Sequence, residues 1–383
     1  MDLTVTTFKG LERVLAAELE ALGASDISVR TRAVTCFGSK ELLYRANYQL
    51  RTALRVLVPF HQFIARDPEA LYQKIRAYNF SHHLKPDQTF AVDVVVHSDY
   101  FPHSQYVMHK VKDGIVDRMR TTYNMRPAIN LEDPDFRLHV RISGDEVTLS
   151  SDSSGESLHK RGYRTKTVSA PMSEVLAAGL VILSGWDRRS MFIDPMAGSG
   201  TIAIEAAMMA AHIPPQFCRK DFAFKKWRNF DAPLWKKVVA EVNAGITDEL
   251  PPIFASDKSR MAVEAIKANI EKLPVRNCVI ASHFDFFSVK QENATIIMNP
   301  PYDERMRVSD IFSFYEEIGS HLKHKCAGSS AWLFSSNAEA MKYIGLRPSK
   351  KHILFNGPLE CRYYNYNLFK GKRAEFLEEK DPN

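Results

Sequence analysis

Along residues 9–23, KGLERVLAAELEALG, apolar Leu11, Val14, Leu15, Leu19 and Leu22 recur at helical spacing. The run ends on Gly23, a residue suited to the left-handed turn that closes a helix. The next stretch, ISVRTRAVTCFG, switches to alternation rich in β-branched residues and predicts an extended strand. The pattern then repeats. ELLYRANYQLR and LYQKIRAY read as helices, RVLVPFHQFIA and TFAVDVVVHS as strands, and QYVMHKVKDGIVDRMR as a longer helix. FRLHVRIS and EVTLSSDS follow as two strands around Gly144-Asp145. Small helix–strand units of this kind predict α+β sandwiches over residues 1–155.

From Ser190 the pattern changes. Short, wholly apolar runs (MFID, IFAS, CVIAS, ATIIM, AWLFSS) alternate with amphipathic helices such as SRMAVEAIKANIEKL. Strands apolar on both faces belong to a parallel sheet covered on both sides, so this half predicts a doubly wound, Rossmann-like α/β domain. HILFNGPLECRYYNYNLF, with its Gly-Pro turn, predicts a closing antiparallel hairpin. Ser, Gly and basic residues cluster near 152–165, where the two halves join.

The 383-residue length allows two or three domains, and 45% apolar content is ordinary for a soluble protein. No run approaches 18 apolar residues, and the N-terminus has no apolar signal core, so neither a membrane partner nor export is expected. Five scattered cysteines without a Cys-x-x-Cys pair argue against a disulfide framework or a zinc site and fit a reducing cytoplasm; no metal is expected. A formal charge of +6 permits a nucleic-acid partner without requiring one.

The candidate chemistry sits at the ends of the short strands. MFID runs into DPMAGSGTIAIEAA, where Gly198, Gly200 and Ala203 fit a loop in which the backbone approaches a ligand and the next helix packs close. No Gly-Lys-Ser/Thr follows, which excludes a Walker-type phosphate loop. Asp194 before the loop would repel a pyrophosphate, yet suits an ammonium or a ribose hydroxyl. S-adenosyl-L-methionine is therefore favoured over a dinucleotide. Asp257 ends the second strand and can serve the ribose hydroxyls or cap the next helix. After the third strand, HFDFF offers Asp285 for an adenine amine, with Phe284 or Phe286 against the ring.

The fourth strand delivers Asn299-Pro300-Pro301-Tyr302 to the carboxyl edge of the sheet, where such folds bind ligands. An exocyclic purine amine is a poor nucleophile because its lone pair is delocalised into the ring. Two acceptors, the Asn299 side-chain oxygen and the Pro300 carbonyl, can hold its hydrogens and turn that lone pair toward a methyl donor, with Tyr302 as a stacking face. An insertion over residues 212–250 carries RKDFAFKKWRNF, in which Lys225, Lys226 and Arg228 interleave with aromatic residues. That mixture fits RNA contact or a packed amphipathic insertion, and both readings stay open.

DPMAGSGT together with NPPY resembles the class I S-adenosylmethionine-dependent N-methyltransferases. TTFKGLERVLAAELEALG and SSGESLHKRGYR are similar to the THUMP-bearing guanine-N2 RNA methyltransferases, and the resemblance covers essentially the whole chain. It implies a ferredoxin-like region over 1–43, an RNA-binding THUMP domain over 44–155 and a methyltransferase domain over 156–383. The implied reaction is methylation of guanine N2 in 23S rRNA; a tRNA enzyme of the same architecture and a non-catalytic RNA-binding protein are the alternatives. A glutamine methyltransferase that also uses Asn-Pro-Pro-Tyr carries a helical N-terminal bundle, unlike the strand-rich region here.

By motif, Asp194, Pro195, Ala197, Gly198, Ser199, Gly200 and Thr201 would line the cofactor, with Asp257 and Lys258 at the ribose and Asp285 and Phe286 at the adenine. Asn299, Pro300 and Tyr302 would hold the base, with Asn299 also at the cofactor. Lys160, Arg161, Arg164, Lys225, Lys226 and Arg228 would contact RNA, and the junction RGYRTKTVSAPM would flank the cofactor. Some relatives carry a second methyltransferase domain making 7-methylguanine; the chain stops after the first domain's hairpin, so only the N2 activity is implied.

Overall fold

The computed structural model describes residues 1–168, 172–275, 277–288, 290–301 and 308–369. The N-terminal half contains β1 (Asp2–Thr6), α1 (Glu12–Ala21), β2 (Ser25–Arg30), β3 (Ala33–Phe37), α2 (Lys40–Gln49) and β4 (Arg55–Ile64). It continues with α3 (Pro68–Ala77), β5 (Phe90–His97), α4 (Ser104–Tyr123), β6 (Phe136–Ser143) and β7 (Glu146–Asp152). The stretch 27–38 is a hairpin rather than one strand, because Arg32 turns through φ 59° between β2 and β3. Side-chain caps fix the helix starts: Ser39 accepts from the Leu42 N–H, and Asp67 from those of Glu69 and Ala70.

All seven strands form one sheet, ordered β2-β3-β1-β4-β7-β6-β5. β4 pairs with β1 through Arg55–Leu57 and with β7 through Leu57–Ile64, so a single strand serves both N-terminal modules. The boundary expected at 43/44 falls inside α2, whose Leu42, Leu43 and Tyr44 are all buried; the helix cannot be divided between domains there.

The second half contains α5 (Glu174–Ser184), β8 (Phe192–Asp194), α6 (Thr201–Ala210), α7 (Ala232–Ala244), β9 (Ile253–Asp257), α8 (Arg260–Ile270) and β10 (Val279–His283). It ends with β11 (Thr295–Met298), α9 (Val308–Lys325), β12 (Ser330–Ser335), β13 (Lys350–Asn356) and β14 (Leu359–Asn367). Its sheet runs β10-β9-β8-β11-β12-β14-β13, parallel from β10 to β12, with an antiparallel hairpin at the far edge. The strand order reverses at β8. The crevice between the carboxyl ends of β8 and β11 is therefore where a doubly wound sheet holds its ligand.

The insertion packs. Phe222 and Phe224 are buried in the same core as Leu15, Leu43, Tyr44 and Tyr48 of the N-terminal module. The ring centroids of Tyr44 and Phe224 lie 4.7 Å apart, and Trp235 on α7 meets Tyr44 and Tyr48 edge-on. Of the two readings of this insertion, the packed one describes its aromatic residues: they clamp α7 to α2. Among the described residues, no helix is long and apolar enough to cross a membrane.

Candidate active site

The loop after β8 is shaped by two glycines in the left-handed region, Gly198 at φ 55° and Gly200 at φ 82°. A Cβ on Gly200 would stand 3.0 Å from Ile266 on α8, so only glycine lets α6 start this close. The loop is sewn to the neighbouring strand: the Ala197 N–H donates to the Ser256 carbonyl at 3.0 Å, and the Gly198 N–H to Asp257 Oδ2 at 2.9 Å. Asp257 Oδ1 accepts from the Ser259 N–H, while Ser259 itself caps α8. Asp257 is thus a brace for the glycine loop and not the helix cap.

Beside the loop lies a cavity of about 320 Å³. Pro195, Ala197, Gly198, Ser199 and Thr201 form one wall, Asp257 and Lys258 the next, Phe284, Asp285 and Phe286 a third, and Asn299 and Pro301 the far edge. Asp194, Gly200 and Pro300 are not part of the lining. Asp194 is fully buried, and burial, reinforced by the Asp257 carboxylate, pushes its carboxyl up to about 8. The Ala203 and Met196 amides offset part of this, yet neither closes a well-formed hydrogen bond with it.

Asn299 Oδ1 is also buried without a hydrogen-bond partner among the described residues. A buried acceptor left open at a cavity edge is costly unless something else fills it. Tyr302 lies outside the described residues. Of the two rings weighed for adenine, Phe286 is 3% exposed and packs on His321, whereas Phe284 is 54% exposed. Both line the cavity, but Phe284 has the free face.

Sequence reasoning missed Met196, Ile202, Phe287 and Phe314, which supply the apolar part of the wall. Their spacing reads as ordinary core, and no local signal separates them. Val168 and Met172, from the junction expected to flank the cofactor, do line the cavity.

The basic residues divide. Arg161 is a correction: its side chain is fully buried, its guanidinium ion-pairs with Glu205 at 3.4 Å and donates to the Leu158 and Arg51 carbonyls. No face of it remains for RNA. Arg164 is largely buried, ion-paired with Glu174 at 2.9 Å and donating to Thr201 Oγ1 at 3.1 Å, so it braces the loop region. Lys160 is exposed and paired with Glu156. Lys225 lies over the Phe222 and Trp235 rings, Lys226 pairs with Asp133 at 2.7 Å, and exposed Arg228 donates to the Ser81 carbonyl. Lys160, Lys225 and Lys226 rim one groove with Arg137, Arg219 and Lys220, open between the two halves of the molecule.

A strand order that reverses at a glycine loop, with acids at successive strand ends, defines a Rossmann-like enzyme of the methyltransferase type. The chain belongs to the RMKL-like methyltransferase domain family, whose model matches residues 161–365; an RlmL ferredoxin-like domain matches 2–57 and a THUMP domain 65–152. It is 38% identical to the "Ribosomal RNA large subunit methyltransferase K/L" of Syntrophotalea carbinolica, over 96% of this chain and 54% of that protein. The K/L protein of Methylococcus capsulatus is 36% identical over 96% of this chain and 51% of its own length. The chain thus spans about half the length of these curated relatives. A Synechocystis sp. protein described as a candidate RNA methyltransferase is 33% identical over 95% of this chain and 96% of its own.

Among solved structures, a candidate methyltransferase complexed with SAH, SMU.472, superposes with a TM-score of 0.86 at 28% identity, covering 97% of this chain and 99% of that one. A candidate methylase from Clostridium difficile 630 gives 0.87 at 30%, with the same coverage. A Listeria monocytogenes protein, described as a predicted N6-adenine-specific DNA methylase, gives 0.82 at 29%, covering 95% of each chain.

Proposed function

We propose that this protein transfers a methyl group from S-adenosylmethionine to the exocyclic N2 amine of a guanine in RNA, with large-subunit 23S rRNA as the substrate. The observation that carries the reading is the open acceptor of Asn299, buried at the edge of the cavity that the glycine loop forms. The cavity also fits the cofactor. Its loop has no Cβ at 198 or 200, its volume of about 320 Å³ lies at the small end of ligand sites, and carboxylates stand at two strand ends. Asp257 would take the ribose hydroxyls, Asp285 the adenine amine, and Phe284 the adenine face.

S-adenosylmethionine supplies, when bound, a methyl group on a sulfonium. The protein's work is positioning. Asn299 Oδ1 and the Pro300 carbonyl accept the two amine hydrogens, draw the nitrogen toward tetrahedral geometry and turn its lone pair to the cavity. No strong base is needed, because the methylated amine is acidic and yields its proton readily. Buried Asp194 stays largely protonated near neutral pH, so the floor of the site carries less negative charge than its composition suggests.

RNA as the substrate class is supported by the THUMP match and by the names of the K/L and Synechocystis relatives. The Listeria neighbour's description names adenine N6, another exocyclic amine that the same acceptors would suit. The deciding experiment is methyl transfer from labelled cofactor to unmodified rRNA, tRNA and DNA, followed by digestion. N2-methylguanosine from rRNA is the expected product. Label in tRNA, N6-methyladenine, or no transfer to any of the three would overturn the reading.

A further inference from the structure

Asn269, in the last turn of α8, is 1% exposed and uses every hydrogen-bonding position of its amide. Its Oδ1 accepts from the backbone N–H groups of Thr165 at 2.8 Å and Lys166 at 2.9 Å. Its Nδ2 donates to the Lys166 carbonyl at 2.9 Å and to the Ser199 carbonyl at 3.1 Å. Three of these bonds hold the junction that links the two halves of the chain. The fourth holds the glycine loop from behind. Just beyond the clipped residues, Val168 lines the cavity, and its Cγ2 would stand 3.5 Å from a Cβ on Gly198.

We propose that Asn269 is a positioning residue for the cofactor: it sets the glycine loop and the Val168 wall at a fixed separation. The inference rests on the cofactor reading above. Buried amides are hydrogen-bonded as a rule, so it is the choice of partners that sets this one apart. This one bonds only to segments that meet at the cavity. Asparagine is required in kind, because one planar group accepts from the Thr165 and Lys166 N–H groups and the Thr165 hydroxyl on one side and donates twice on the other. Asn269→Asp keeps the size and the acceptor contacts but sets a second oxygen against the Ser199 and Lys166 carbonyls. The glycine loop is then pushed away while the helix stays filled.

The test uses the full chain. Wild type is first titrated with S-adenosylhomocysteine by calorimetry; absence of binding there refutes the cofactor reading itself. With wild type binding, Asn269→Asp and Asn269→Ala are expected to raise Kd at least tenfold. The KM for S-adenosylmethionine should rise in step, while the KM for RNA and kcat at saturating cofactor stay within twofold. Val168→Ala, which leaves α8 intact and keeps the test decisive if the Asn269 variants do not fold, should raise Kd two- to fivefold. Adding it to a folded Asn269→Asp should cost less than its effect in wild type, since both act on one wall. Unchanged Kd in folded Asn269 variants, equal losses of cofactor and RNA affinity, or an unchanged Kd in Val168→Ala would overturn the proposal.

Discussion

The Gly198 backbone N–H donates to Asp257 Oδ2 at 2.9 Å, tying the loop after β8 to the end of β9. The second carboxylate oxygen is also held, by the Ser259 N–H, so the group is fixed before any ligand arrives. Asp257→Ala should therefore weaken S-adenosylhomocysteine binding tenfold or more, about 1.4 kcal/mol. Asp257→Asn, which keeps an acceptor for Gly198 and loses the charge, should fall between. Calorimetry on both variants checks the order, and an Ala variant that binds as wild type does would remove Asp257 from the site.

Asn299 separates bracing from catalysis. Its Oδ1 braces nothing among the described residues, so Asn299→Ala should leave the melting temperature and the cofactor Kd nearly unchanged. Turnover should drop by about 10²–10³, by analogy with removal of a single preorganised transition-state contact. Asn299→Asp retains an acceptor and should keep more activity than Ala. Single-turnover methyl transfer with saturating cofactor reads the difference.

Asp194 predicts a pH dependence of stability. Its folded-state carboxyl sits at about 8 against an ordinary value near 4, so between these limits the folded chain holds a proton that the unfolded chain has lost. Stability from this group is full below about pH 4 and is lost as pH rises through about 8. Asp194→Asn should flatten that decline, with its melting temperature gaining on wild type from pH 5 to pH 9. Parallel melting curves for the two proteins across this range would show that the site is differently solvated.

The aromatic clamp predicts a large packing loss. Phe224 is 1% exposed against Tyr44 and belongs to the N-terminal core although it lies in the insertion. Phe224→Ala should cost about 3–5 kcal/mol in urea unfolding. It should also loosen α7 from α2, read as faster amide exchange in α2. The same packing means that a chain beginning at residue 156 would expose Phe222 and Phe224, so RNA binding is better tested in the full chain. Lys160→Glu with Lys220→Glu should weaken RNA binding about tenfold and lower the salt slope by about 2, with cofactor affinity intact. An unchanged salt slope would move the RNA path elsewhere.

The legible parts of this protein were those written in short range. MFID, IFAS, CVIAS, ATIIM and AWLFSS gave strands where expected, and Gly198, Asp257 and Asn299 meet at one cavity because each follows a strand end of one parallel sheet. Arg161 misled because its burial is decided by Glu205, 44 positions on, which no neighbouring residue announces. Phe286, which opens a short 3-10 turn over Phe286–Ser288, is buried while Phe284 is exposed, a difference the alternating HFDFF pattern does not announce. Asn269 reads locally as one polar residue in an amphipathic helix; its amide bonds go to segments 70 and 103–104 positions away.

β4 belongs to the N-terminal module at one end and to the THUMP module at the other, inside an unbroken seven-stranded sheet. Hinging one module against the other would require tearing ladder bonds along that strand. The first 152 residues therefore behave mechanically as one plate. The insertion adds to this stiffness, because Phe222 and Phe224 anchor the second half in the core of the plate. Reach in this protein is set by architecture before chemistry begins.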